Sequence, residues 1–257
     1  MKRVLTALAL VPFVLYAVVW GSKYVFLIVL CAVAMLCWRE YARMVDWYGF
    51  GRIGPPGYAA GLVILVTPNL DVLWLWLAVV LAFAVAIRSA ELEKALPLAA
   101  LFLFGLLWVF GAWRAAIGVR SIHPYWLVFA LTISWVGDTA AYYAGRALGR
   151  HKLAPRLSPG KSWEGAAASV AITLAYAWAF FTWLLPQTSI AYGLVIAAAG
   201  NIAGQFGDLC ESAVKRGVGM KDSGTMLPGH GGWLDRLDSS LFALPAVLFL
   251  LLRPWAQ

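Results

Sequence analysis

The chain has 257 residues, of which 63% are hydrophobic and 12% charged, with a mean hydropathy of +0.80 and a formal net charge of +8. Soluble domains carry about a quarter of charged residues, so this chain cannot coat a globule in solvated side chains. A soluble enzyme, a disordered protein and a secreted disulfide scaffold are excluded, and long unbroken apolar stretches without period-two alternation argue against a transmembrane barrel.

The expected fold is all-α, a polytopic transmembrane helical bundle. The first apolar run, Val4 to Trp20, follows Lys2 and Arg3. Its bulky end at Tyr16 to Trp20 offers no small-residue cleavage pattern, so a retained first membrane helix is expected rather than a signal peptide. Further apolar runs lie at 22–38, 57–68, 70–88, 95–113, 124–145, 162–185, 189–212 and 237–253, which makes about nine helices. The run at 57–68 is short, and Pro68-Asn69-Leu70-Asp71 parts it from the next by only a turn. The pair either crosses twice or forms a hairpin that does not fully cross, and its flanks stay on one side in both cases.

Placing the N-terminus in the cytoplasm puts 16 of the 20 basic residues on the cytoplasmic side, leaving Lys23, Arg114, Arg120 and Arg253 outside. By the positive-inside rule the N-terminus is cytoplasmic and the C-terminus outside. Of the 12 acids, only Asp71 falls outside. The basic balance therefore points to anionic headgroups and polyanionic solutes at the inner leaflet and not to nucleic acid. Cys31, Cys37 and Cys210 lack metal-site spacing and read as small membrane-helix residues. The 14 tryptophans scatter near run ends as well as inside runs, as interface anchors and packing groups do. The whole of 1–257 is expected to be a single integral membrane domain, with residues 1–120 as N-terminal helices and 121–257 carrying the chemistry.

Ionisable residues inside membrane helices are costly, so each is a functional candidate. Asp138 lies in the cytoplasmic half of the sixth run, either as a site acid or as a helix–helix or Arg146 partner. The run at 189–212 ends in a denser group. There Gln205, Asp208, Ser212 and Lys215 are spaced 3, 4 and 3 and share one helix face. Gly200, Gly204 and Gly207 beside them would admit a neighbouring helix. The stretch 213–238 then combines Gly-rich backbone with Lys221, Asp222, His230 and Arg236, a composition able to cradle phosphate without the Walker order. Asp235 and Asp238 stand three apart at the start of the last helix, where they suit the helix dipole as well as a metal. Arg156 to Gly165 adds Lys161 next to Ser162, which reads as a helix cap or as part of an anion site. The three histidines are dispersed, so carboxylates beside phosphate-binding cations point to Mg²⁺ and away from zinc. No Ser-His-Asp order or nucleophile elbow is present.

These residues form the pattern Ser212-x-x-Lys215-Arg216-x4-Lys221-Asp222-x-Gly224-x-x-Leu227-Pro228-Gly229-His230-Gly231-Gly232-x-x-Asp235-Arg236-x-Asp238. It resembles the signature of the phosphatidate cytidylyltransferase (CDP-diacylglycerol synthase) family, and the stretches Asp138–Gly145 and Ser158–Gly165 also resemble family segments. The resemblance implies a bacterial-type inner-membrane enzyme that uses CTP and phosphatidate with Mg²⁺, joined by a monovalent cation such as K⁺. It implies release of CDP-diacylglycerol and pyrophosphate, an active site facing the cytoplasm, and a homodimer. On these residues, Asp208 and Asp235 are expected to hold Mg²⁺, with Asp238 as a further ligand or second partner. Lys161, Lys215, Arg216 and Arg236 would neutralise phosphates, and Ser212 would donate a hydrogen bond. Asp138, Ser162, Lys221, Asp222 and His230 complete the expected substrate-binding set. Two other readings fit parts of the pattern: a CTP-dependent polyprenol or dolichol kinase, and a membrane transporter.

Overall fold

The structure is a computed structural model that describes residues 2–51, 53–67, 73–89, 91–227, 229 and 231–253, with side chains described from residue 11. It is all-α apart from one small hairpin. In chain order the helices are α1 (Lys2–Val19), α2 (Lys23–Trp47), α3 (Gly54–Val66), α4 (Leu73–Ala86), α5 (Leu92–Ile122), α6 (Pro124–Leu148), α7 (Trp163–Leu184), α8 (Ile190–Gly217) and α9 (Leu234–Leu251). Among the described residues, α2, α5, α7 and α8 are long and apolar enough to cross a membrane. The protein is an integral membrane protein. At 13 and 14 residues, α3 and α4 fall short of the roughly 20 needed for a full span. The expected turn at Pro68–Asp71 lies outside the described residues.

Three boundaries depart from the apolar runs, each because polar residues find partners. Helix α5 continues beyond its apolar part to Ile122, through a π-helical stretch at Leu106–Gly111. Arg114, expected in an outer loop, instead donates to the carbonyls of Ile64 (2.6 Å) and Thr67 (3.0 Å), which capture the last free acceptors of α3. Helix α8 runs on to Gly217 past Cys210, carrying the Glu211–Lys215 pair at i, i+4. The polar connection 145–162, rich in Gly, Pro, Lys and Arg, holds an antiparallel hairpin of β1 (Lys152–Ala154) and β2 (Ser158–Ser162).

The chain forms two compact units, residues 1–114 with 217–236, and residues 115–216 with 237–257. The first is organised around Trp38, which is fully buried. Its ring meets those of Tyr41, Phe102 and Phe110 at centroid distances of 5.6, 5.8 and 5.4 Å. Both polar handles are satisfied: Trp38 Nε1 donates to Gly54 O (3.1 Å) and the Tyr41 hydroxyl to Leu101 O (2.6 Å). Gly57 faces the Trp38 indole so closely that a Cβ there would collide with it.

In the second unit α6 packs along α7 through Trp126, Phe129, Phe180 and Phe181. Gly200, Gly204 and Gly207 on α8 lie against Val247, Ser239 and Phe242 of α9, so these glycines do admit a neighbouring helix. A buried polar group ties α7 to α8: Asn201 Nδ2 donates to Ser169 Oγ (3.0 Å) and Thr173 Oγ1 (2.9 Å), and Gln205 Nε2 donates to Asn201 Oδ1 (2.7 Å). In hydrocarbon, where water is absent, such groups must pair internally.

Candidate active site

Within the second unit, the polar end of α8 gathers charge. Lys161, at the end of β2, is ion-paired through Nζ with Asp208 Oδ2, and both side chains are only about a quarter exposed (27% and 26%). The hairpin makes this possible, because pairing Lys152 with Ser162 turns the chain back just before α7 begins. Ser162 then caps α7, its Oγ accepting from Gly165 N at 3.1 Å. His151 clamps the same corner: its backbone N–H and ring Nδ1 both meet Glu164, the ring at 2.6 Å. One turn beyond Asp208, Ser212 Oγ reaches Asp208 Oδ1 over a long 3.5 Å. Lys215 is buried and pairs with fully buried Glu211 at 3.2 Å. Asp238 lies beside Glu211 and feels the charges of Asp208 and Lys215. Arg216 is exposed, with Nε 3.5 Å from Leu157 O. Three acids and two lysines thus gather at this end of the unit.

The first unit holds the segment 217–236, which runs from the end of α8 to the first turn of α9 and is anchored by hydrogen bonds. Leu227 N donates to Gly231 O at 2.9 Å and closes the turn. Gly231 has φ of 80°, and a Cβ there would also press on Asp235 Oδ2, so only glycine fits without strain. Asp235 accepts from Ser223 N at 3.0 and 2.9 Å and from Gly232 N at 2.8 Å. Backbone donors of this kind hold the carboxylate in one orientation, as a metal ligand requires. Lys221, Asp222 and Arg236 are exposed around it.

The structure therefore brings Lys161, Asp208, Ser212, Lys215 and Asp238 together in one unit. Lys221, Asp222, Asp235 and Arg236 share the other unit with Ser223. Asp138 lies on an exposed face of α6, and Ser162 is a buried cap. His230 lies outside the described residues. Among the described residues no three His, Cys, Asp or Glu side chains form a preformed metal shell. The donors are nonetheless all oxygens, which suits a hard divalent cation completed by substrate phosphates.

Two acids were not singled out from the sequence. Glu211 stood in the charged end of α8, and its i, i+4 spacing to Lys215 was the available signal. Glu40, on α2, is 1% exposed. Its Oε2 accepts from Ser223 Oγ (2.7 Å) and Leu234 N (2.9 Å), and its Oε1 from Trp233 N (3.0 Å). At the end of an apolar run it reads like any solvated terminal acid, and no local signal marks it.

Residues 1–253 match the model of the cytidylyltransferase family. The chain belongs to that family. Among its relatives is the phosphatidate cytidylyltransferase of Haemophilus influenzae, 32% identical over 95% of this chain and 96% of its own length. That of Bacillus subtilis is 44% identical over 140 residues, 52% of this chain and 51% of the relative. That of Staphylococcus aureus strain COL is 40% identical over 134 residues, 52% of each. The match thus spans about half the length of the Bacillus and Staphylococcus relatives and nearly all of the Haemophilus one.

Proposed function

We propose that the protein is a phosphatidate cytidylyltransferase of a bacterial-type inner (plasma) membrane, transferring CMP from CTP to phosphatidate to give CDP-diacylglycerol and pyrophosphate. The observation that most supports this reading is the Lys161–Asp208 pair, backed by Glu211, Lys215 and Asp238 at the end of an otherwise apolar helix. That arrangement suits a reaction between two anions.

An oxygen of the lipid phosphate attacks the α-phosphorus of CTP, and the bond from that phosphorus to the bridging oxygen of the pyrophosphate breaks. A phosphate monoester is already largely ionised near neutral pH, so no strong general base is required. Alignment and charge neutralisation are required instead. Lys161, Lys215, Arg216 and Arg236 offset the phosphate charges, and Ser212 donates a hydrogen bond to phosphate or orients a ligand. Asp138, Ser162, Lys221, Asp222 and His230 are assigned to substrate positioning. Asp208 and Asp235 are the carboxylates assigned to Mg²⁺, with Asp238 assigned as a further ligand or supporting partner. Held by these carboxylates, Mg²⁺ would supply neutralisation of the nucleotide phosphates, and K⁺ enters this reading from the family resemblance. The reading also has about nine membrane helices, the pair at 57–88 crossing twice or forming a hairpin that does not cross, a cytoplasmic N-terminus, an outer C-terminus and a site facing the cytoplasm, where the positive-inside count puts most of the charge. Homodimer assembly comes from the resemblance as well.

The test is purified protein with labelled CTP and phosphatidate in detergent or lipid, with and without Mg²⁺. Equal amounts of CDP-lipid and pyrophosphate, only with Mg²⁺, are expected. CDP with a lipid monophosphate would mean a kinase, and substrate movement across sealed vesicles with neither product would mean a transporter; either refutes the reading. Asp208→Asn and Asp235→Asn should each cost on the order of a hundredfold in rate. Near-normal turnover by either variant would overturn its metal assignment.

A further inference from the structure

The geometry points to Glu40 as a positioning residue that fixes the orientation of Asp235 from the far end of the sequence. It rests on the proposed cytidylyl transfer for its catalytic consequence but not for its structural one. Glu40 and Ser223 are 183 positions apart, yet their side chains meet at 2.7 Å. Ser223 in turn touches Asp235 twice, its N–H donating to both carboxylate oxygens and its Oγ accepting from Asp235 N at 3.3 Å. One hydroxyl therefore links the Glu40 carboxylate to the backbone N–H of Asp235, while the N–H of the same serine holds the Asp235 carboxylate. Glu40 also accepts from Trp233 N and Leu234 N, so it acts as a remote cap for α9, which opens at Leu234 and carries Asp235 in its first turn.

All three partners donate to Glu40, and this dictates the side chain. A carboxylate offers acceptors on both oxygens, whereas an amide offers one oxygen and sets an NH₂ group against a donor. Glutamine in either flip therefore faces at least one backbone N–H with another N–H. The walls are equally specific. A Cβ on Gly224 or Gly232 would collide with the Glu40 carboxylate, so both glycines are spaces that this side chain fills. Its effect runs through the direction in which Asp235 points.

The experiment uses full-length protein purified in detergent, with Glu40→Gln and Ser223→Ala compared against wild type. Hydrogen–deuterium exchange of the peptide covering residues 222–236 reads the anchor directly. In Glu40→Gln it should quicken roughly tenfold or more, because protection in a loop tracks its local opening equilibrium. Turnover should fall by roughly ten- to a hundredfold with the KM for phosphatidate little changed, and Glu40→Gln should add little to Asp235→Asn. Ser223→Ala removes only the bridge, so it should shift both readouts in the same direction by a smaller factor even if Glu40→Gln fails to fold. Wild-type exchange in 222–236, or full turnover despite faster exchange, would overturn the inference. If the wild-type protein itself makes no CDP-lipid, the proposed function fails, while the exchange result still decides whether Glu40 anchors the loop.

Discussion

Lys161→Met and Asp208→Asn, singly and together, ask whether the lysine and the acid act as one unit. At a charge separation of about 4 Å and an effective dielectric near 20, their gross attraction is about 4 kcal/mol. Desolvation and side-chain ordering remove part of it, and for a pair three-quarters buried a net coupling of about 1–3 kcal/mol remains. Each single variant should lower kcat/KM by about 10²–10³-fold, the usual loss for a preorganised charge in phosphoryl chemistry. If the lysine works largely by holding Asp208 in place, removing either disables the same arrangement. The double variant should then be about ten- to a hundredfold more active than the product of the single losses. The assay is steady-state CDP-lipid formation at saturating Mg²⁺, with KM for CTP and for phosphatidate measured separately. Losses that multiply to within about a factor of two would mean independent groups and would refute the paired role.

Gly57→Ala drives a methyl group into the buried Trp38 indole and should cost about 1–3 kcal/mol, seen as a drop of several degrees in the detergent melting midpoint. An unchanged midpoint would mean that the two helices part without penalty. Asn201→Leu keeps the volume but removes hydrogen bonds to Ser169, Thr173 and Gln205; stability should fall by about 0.5–2 kcal/mol, since membrane hydrogen bonds average well under 1 kcal/mol apiece. Thermal unfolding that matches wild type would show the network to be dispensable. Ser162→Ala removes the α7 cap at a cost of about 1 kcal/mol and, if the serine also meets substrate, raises KM for CTP severalfold. A stability loss with unchanged KM would leave it a cap alone and strike it from the substrate set.

Composition and local spacing were enough to establish an all-helical membrane protein, the approximate position of each apolar helix and the family to which the 212–238 pattern belongs. These are short-range properties: an apolar run is apolar whatever it packs on, and a spacing of three and four puts Asp208 and Ser212 on one face before any neighbour arrives. The hairpin at 152–162 escaped because Gly, Pro, Lys and Arg read as coil until strand pairing gives them partners. Helix α5 outran its apolar stretch because α3 supplied acceptors to Arg114. Glu40 is the clearest case of what only the tertiary structure decided. Its side chain is the same whether it ends in water or beneath a loop nearly two hundred residues away, and only the fold supplies the three donors that make it a buried anchor.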